Sequence, residues 1–194
     1  MPISIVTPAT NDPVTLAEFK AHERITHTEE DGVIAKKISA ATQFVQAIAD
    51  RQLVDATLKE VFECWPSKRL IHLGRPPVDS VSSVKYYDTS ATPTLTTMST
   101  DDYRVYTFQD QPGILEIDED TVLPDLDDRI YPIEVTFVAG YGAQAAVPEI
   151  YKEAIHLVAA DYFNNREDGE YRLLDRTRRR AEALVGAKAW GSYA

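Results

Sequence analysis

The residues with the chemistry to act as a site fall in four places along this chain, and spacing limits each of them. His22-Glu23-Arg24-Ile25-Thr26-His27 resembles the helical motif of zinc proteases, in which two histidines four apart share a helix face. Here the interval is five, about 140° off that face at 100° per residue, so the pair reads as a solvated turn. Cys64 has His72 as the nearest histidine in sequence, but it alternates with Phe62 ahead of Trp65 and is expected to be a small buried residue rather than a nucleophile. The acids Glu116, Asp118, Glu119, Asp120, Asp125, Asp127 and Asp128 would suit calcium by type. Val122 stands where a third ligand belongs and no glycine follows it, which leaves a solvated acidic loop. No nucleophile elbow, phosphate-cradling glycine loop or dinucleotide fingerprint occurs, and His156 lies within an apolar helical pattern. These patterns point to no catalytic residue, no metal ligand and no cofactor.

The fourth place carries a functional lean. Arg172, Arg176, Arg178, Arg179 and Arg180 interleave with Leu174, Thr177, Ala181 and Leu184 at helical spacing, so that one face of a terminal helix is basic and the other is apolar. Such a helix can be simply solvated, dock on an acidic protein surface or touch DNA. Trp190 and Tyr193 add aromatic anchors near the end. The candidate partner-binding set is therefore Arg172, Arg176, Arg178, Arg179, Arg180, Leu174, Leu184, Trp190 and Tyr193.

Charge is divided in the same sense. The net charge is −11; from Arg172 onward six basic residues face two acidic ones, a balance of +4 that leaves −15 on the rest. An acidic body opposes wrapping of DNA, while a basic end suits an acidic partner. With 194 residues, 44% hydrophobic and 26% charged, the chain is expected to fold as one ordinary globular domain or one domain carrying an insertion. One cysteine excludes an internal disulfide. No signal peptide or membrane span is expected, because no lysine or arginine precedes Lys20 and no apolar run reaches membrane-spanning length.

The elements that must position these residues follow from periodicity. Residues 1 to 13 hold three prolines and read as an extended arm. Thr15-Leu16-Ala17-Glu18 is a capping-box pattern that starts a helix running to about Arg24. A second start lies at Thr28, and Ile34, Ile38, Ala41, Val45 and Ile48 then form a packing seam to about Asp50. Between Leu53 and Tyr141 the period is two, giving strands at Thr57–Cys64, Leu70–Leu73, Val81–Tyr87, Tyr103–Tyr106, Ile114–Ile117 and Ile133–Val138. Gly140 and Gly142 turn the chain out of the last strand, and Pro148 suits the first turn of a helix whose stripe is Tyr151, Ala154, Ile155, Val158 and Tyr162. The expected class is α+β, with a helical body of long packed helices from both ends of the chain and an inserted small antiparallel β unit. In residue terms this is an arm and helices over 1–52, the β unit over 53–143, a completing helix over 144–168 and a basic segment over 169–194.

The order of motifs adds a family. TLAEFKAH, AIADRQL, a strand running into CWP, LIHLGRPPVDSVSSVKYYD, VTFVAGYG and VPEIYKEAIHLVAADYFNNRED together resemble the head-to-tail connector (adaptor) proteins of long-tailed bacteriophages and gene transfer agents, over about Val14 to Asp168. The resemblance implies a structural virion protein without enzymatic activity. It implies a homo-oligomeric ring, commonly of twelve, beneath the portal protein and above a tail-side stopper, with DNA passing through and no membrane contact. It would reside in the neck of the particle and, before assembly, in the host cytoplasm. By position, the C-terminal segment would meet the portal or a neighbouring subunit. A tail-completion or stopper role, and a packaging factor that binds DNA through the arginine helix, are the competing readings.

Overall fold

A computed structural model of the chain describes residues 2–89, 94–109, 111–165 and 175–186. The chain divides into two compact units, one of residues 1–9 and 55–140, the other of residues 10–54 and 141–194. In chain order the elements are β1 (Ile3–Thr7), α1 (Leu16–Glu23), α2 (Asp31–Ala49), β2 (Ala56–Phe62), β3 (Leu70–Leu73), β4 (Val78–Tyr87), β5 (Leu95–Thr97), β6 (Tyr103–Tyr106), β7 (Gly113–Ile117), β8 (Ile133–Ala139), α3 (Glu149–Asn164) and α4 (Asp175–Gly186).

The first unit holds two antiparallel sheets, one ordered β1-β2-β8-β4-β5 and the other β3-β7-β6. Strand β8 is central because every second side chain is buried: Ile133, Val135, Phe137 and Ala139 face the core while Glu134, Thr136 and Val138 are only partly covered. β2 alternates in the same way and pairs in register with β8, Leu58 opposite Phe137. These residues join Leu73, Leu115 and Ile117 in one hydrophobic cluster. In β4 the valines recur at steps of three, Val78, Val81 and Val84, and the register against β8 shifts twice, between Val78 and Ser80 and between Val81 and Ser83. Each shift absorbs one residue, which lets Val81 pack against the cluster that holds Val78 and Val84, although strict alternation would place it on the opposite face. That is why the period-two expectation began only at Val81.

Two strands escape the sequence pattern. β1, expected as part of an arm, pairs antiparallel with β2, yet its side chains are mostly exposed and so carry no alternation. β5 spans three residues and takes its register from β4. The opposite error is at Cys64. β2 ends at Phe62, the alternation stops there, and the thiol is exposed rather than buried.

In the second unit α1 opens with the expected capping box: Glu18 N–H donates to Thr15 Oγ1 at 3.1 Å, and Thr15 N–H donates to Glu18 Oε2 at 2.7 Å. Phe19 is fully buried, and the helix ends where Arg24 turns left-handed at φ 57°. Helix α2 starts at Asp31, three residues later than expected, and no side chain caps it. Lys20 Nζ bridges His27 O and Asp31 Oδ1, both at 2.6 Å, and ties down the connection between the two helices. Ile34, Ile38, Ala41 and Val45 are buried as the seam requires, whereas Ile48 is only partly covered. Pro148 is the N-cap of α3, with ψ at 136°, rather than a first-turn residue; its φ of −57° and its carbonyl, which accepts from Tyr151 N–H at 3.0 Å, still serve the helix. Phe163, which widens the expected stripe, is buried together with Ala159, whereas Tyr162 is only partly buried.

Helix α2 packs on α3, and α4 packs on both. Among the described residues the class is α+β, with antiparallel sheets and four helices. The eight strands described make the β portion substantial rather than small, and long helices are matched only in part, since α2 has 19 residues and α3 has 16 but α1 has 8 and α4 has 12.

Candidate assembly surfaces

The strand-to-helix passage at Gly140-Tyr141-Gly142 meets the end of α2. Gly140 has φ 143°, and a Cβ there would lie 2.5 Å from the backbone nitrogen of Asp55, so only glycine fits. Tyr141 N–H donates to Leu53 O at 3.0 Å, and its hydroxyl lies 3.4 Å from Nη1 of the buried Arg51. Asp50 turns left-handed at φ 49°, Gln46 Oε1 accepts from Leu53 N–H at 3.0 Å, and buried Gln52 donates to Val54 O at 2.9 Å. The motifs AIADRQL and GYG, distant in sequence, therefore build one hydrogen-bonded corner. It is structural: Tyr141 N–H, Gln46 and Gln52 hold backbone, and Arg51 reaches the Tyr141 hydroxyl.

Among the described residues no group of three or more His, Cys, Asp or Glu side chains is placed to hold an ion. His22 lies 3.1 Å from Glu23, and His27 lies 3.2 Å from Glu29. His22 instead stacks on His156 with ring centroids 4.8 Å apart, and His156 stacks on Phe19 at 6.1 Å. Burial lowers the pKa of His156 below the usual histidine value, with the neighbouring His22 adding to the effect; Glu153, Glu18 and Glu23 oppose it. Its Nδ1 is buried with no hydrogen-bond partner among the described residues, although the ring as a whole is only half-buried.

A buried acid went unforeseen in the sequence. Glu60 sits in β2 at 4% exposure, and burial raises its carboxyl pKa while the Gly74 N–H, donating to Oε2 at 2.9 Å, opposes that rise. A Cβ on Gly74 would meet the Ile3 side chain at 2.7 Å, so the glycine lets β1 and the carboxylate share the space. Glu60 falls in the inward phase of β2 with Ala56, Leu58 and Phe62, and that phase is the signal in the sequence.

Two surfaces carry charge outward. On α4, Thr177, Ala181 and Val185 are buried and Leu184 is half-buried, while Arg176, Arg178, Arg179 and Arg180 are all exposed. Arg178 donates through Nε to Glu182 Oε1 at 2.8 Å, one turn along, an exposed pair of the kind that stabilises a helix by tenths of a kcal/mol. Arg172, Leu174, Trp190 and Tyr193 lie outside the described residues.

The second surface is the connection of residues 118–132 between β7 and β8, longer than most connections and lacking a helix or extended strand. Backbone groups hold it. Arg69 Nη1 donates to Asp118 O at 2.5 Å and to Thr121 O at 2.9 Å; Trp65 Nε1 donates to Pro124 O at 3.1 Å; Asp127 N–H donates to Tyr87 O at 3.0 Å. The Arg129 guanidinium lies 3.3 Å over the Tyr87 ring and donates to Asp127 at 2.7 Å, which holds that carboxyl below the usual range. With the backbone so engaged, Glu119, Asp120, Asp125 and Asp128 face solvent, as do Val122 at 89% and Ile130 at 73% exposure.

No curated protein matches the chain. Among solved structures it is similar to a chain in the neck of an empty gene transfer agent (GTA) particle computed with C6 symmetry, at 21% identity and TM-score 0.76 over 97% of this chain and 95% of that one. A chain in the virion of a native GTA particle matches at 21% identity and TM-score 0.77, covering 96% and 94%. One in the neck of a native particle computed with C12 symmetry matches at 21% and TM-score 0.74, covering 97% and 94%. Residues 13–73, from the approach to α1 through β3, match the profile of the phage gp6-like head-tail connector protein family, so that in sequence over this stretch and in fold over nearly its whole length the chain is similar to virion neck proteins.

Proposed function

We propose that this protein is a structural head-to-tail connector that assembles as a ring, twelve copies in the finished particle, between the portal and a tail-side neck protein, with DNA passing through it unbound. The observation that carries this reading is the fold likeness over almost the full length of both chains to neck chains of GTA particles, joined to the connector profile over residues 13–73. The helices on either side of the β unit then act as a helical body, and the basic face of α4 acts as a docking element toward an acidic protein surface. A net charge of −11 suits passage of DNA rather than retention.

Neckless, DNA-filled heads incubated with the purified protein test it directly. Retention of the protein as a ring at the portal vertex, and recovery of tail joining, is the expected result. A monomer that leaves such heads unchanged would refute it. A chain that attaches only after another neck protein is in place would belong on the tail side, as a stopper or completion protein. The exposed arginines of α4 favour one other reading, a DNA-binding packaging factor. It requires duplex affinity that falls steeply with salt, and no retention of duplex at low salt excludes it.

A further inference from the structure

We infer that the connection 118–132 of one copy is the seat for the α4 helix of the next copy, so that neighbouring subunits join by a basic helix on an acidic, partly apolar shelf. The inference rests on the ring reading above and deepens it. A ring is built from heterologous contacts, in which one surface of each copy must complement a different surface of its neighbour. The described residues offer such a pair. Arg176, Arg179 and Arg180 are exposed on α4, and Glu119, Asp120, Asp125 and Asp128 are exposed on the connection; none of these side chains has a hydrogen bond or ion pair among the described residues.

Charge alone would fit any loose encounter, and two further features make the shelf specific. The connection is pinned through Arg69, Trp65 and Tyr87, so its side chains are presented in a fixed arrangement and little ordering remains to be done on binding. It also exposes Val122 and Ile130, with Tyr131 at 37%, beside the acids, although nothing in its own packing requires apolar residues at those exposed positions. A fixed shelf with apolar centres and an acidic rim is the anatomy of a protein contact, and its charge selects a cationic partner. DNA is repelled by it. The described surface of this chain that is cationic and helical is α4.

A charge-swap experiment decides the matter. One variant carries Arg176→Glu, Arg179→Glu and Arg180→Glu; the other carries Asp120→Lys, Asp125→Lys and Asp128→Lys. All six side chains are exposed and without a described partner, so both variants should retain the wild-type far-UV circular dichroism and melting temperature. Ring formation is followed by sedimentation velocity in solution and by copies retained on neckless heads. Each variant alone places like charge at every joint and is expected to associate at least about tenfold more weakly than the wild type. Mixed one to one they restore opposite charge at every joint, and rings containing both in equal amounts should form.

Wild-type assembly by either variant alone, or no recovery in the mixture, would overturn the inference. Both outcomes leave the connector reading standing if the wild-type protein joins heads. A wild-type protein that fails to join heads breaks that reading instead, and with it this contact.

Discussion

Residues 118–132 and 133–164 are neighbours in the chain and are used in opposite ways. From Ile133 onward the apolar side chains are turned inward, first by the two-residue period of β8 and then by the helical stripe of α3, and Phe137, Tyr151 and Ile155 are fully buried. In the preceding connection the backbone is held by Arg69, Trp65 and Tyr87; Leu123 and Leu126 pack against the hydrophobic cluster, while the acids Glu119, Asp120, Asp125 and Asp128 are left outside with Val122 and Ile130. The first region has a period and therefore a legible structure. The second has none, because its order comes from partners far away in sequence. In an assembly protein the legible part builds the scaffold, and the aperiodic part is free to present a surface.

That contrast can be broken from the buried side first. Phe137→Ala removes a fully buried ring from the centre of the five-stranded sheet and should cost about 3–5 kcal/mol in urea unfolding. A loss under about 1 kcal/mol would mean that β8 is not central. Gly140→Ala comes next, since it combines φ 143° with an approach of 2.5 Å to Asp55 N; a loss of about 2–3 kcal/mol is expected, and wild-type stability would deny the strained corner. Thr15→Ala removes the capping box of α1, and thermal melts should register a loss of about 1 kcal/mol.

The half-buried His156 sharpens the comparison through pH. Its folded pKa lies below the unfolded value of about 6.5, so below that pH the unfolded chain binds the extra proton first. Stability should be fully present above pH 6.5, fall as the pH drops toward the folded pKa, and level off beneath it. In His156→Phe that acid-side slope should flatten in chemical denaturation measured across this range; an unchanged slope would assign it to other groups. The smallest effect belongs to Cys64, which lies past the end of β2: Cys64→Ser should alter stability by under about 0.5 kcal/mol, and the native thiol should react with a thiol reagent without unfolding. Protection of the thiol would return it to the core.

Much of the framework could be read directly. β3 and β6 match the expected residues, and β8 and the capping box of α1 rest on local patterns that tertiary packing did not override. The failures share one physical origin. β1 is exposed and takes its order from β2; β4 conceals its pattern behind two bulges; Cys64 follows a strand that ends two residues sooner than its pattern suggests. In each case the deciding interaction is a backbone hydrogen bond to a distant strand, which side-chain period cannot announce. The surfaces divide likewise: the arginines of α4 and the acids of residues 116–128 are visible by composition, whereas the outward posture of Val122 and Ile130 is not.

By itself, then, the sequence determined the periodic elements, the acidic body with its basic end and the order of motifs shared with connector proteins, because these depend on residue type and on intervals of two to four. Tertiary structure decided which strands are edges, that Arg51 and Tyr141 close one corner, that Glu60 is buried, and that a connection without helix or extended strand is held firm with Val122, Ile130 and four acids outward. Those outcomes depend on which distant backbone groups become neighbours, and no short interval in a chain encodes that.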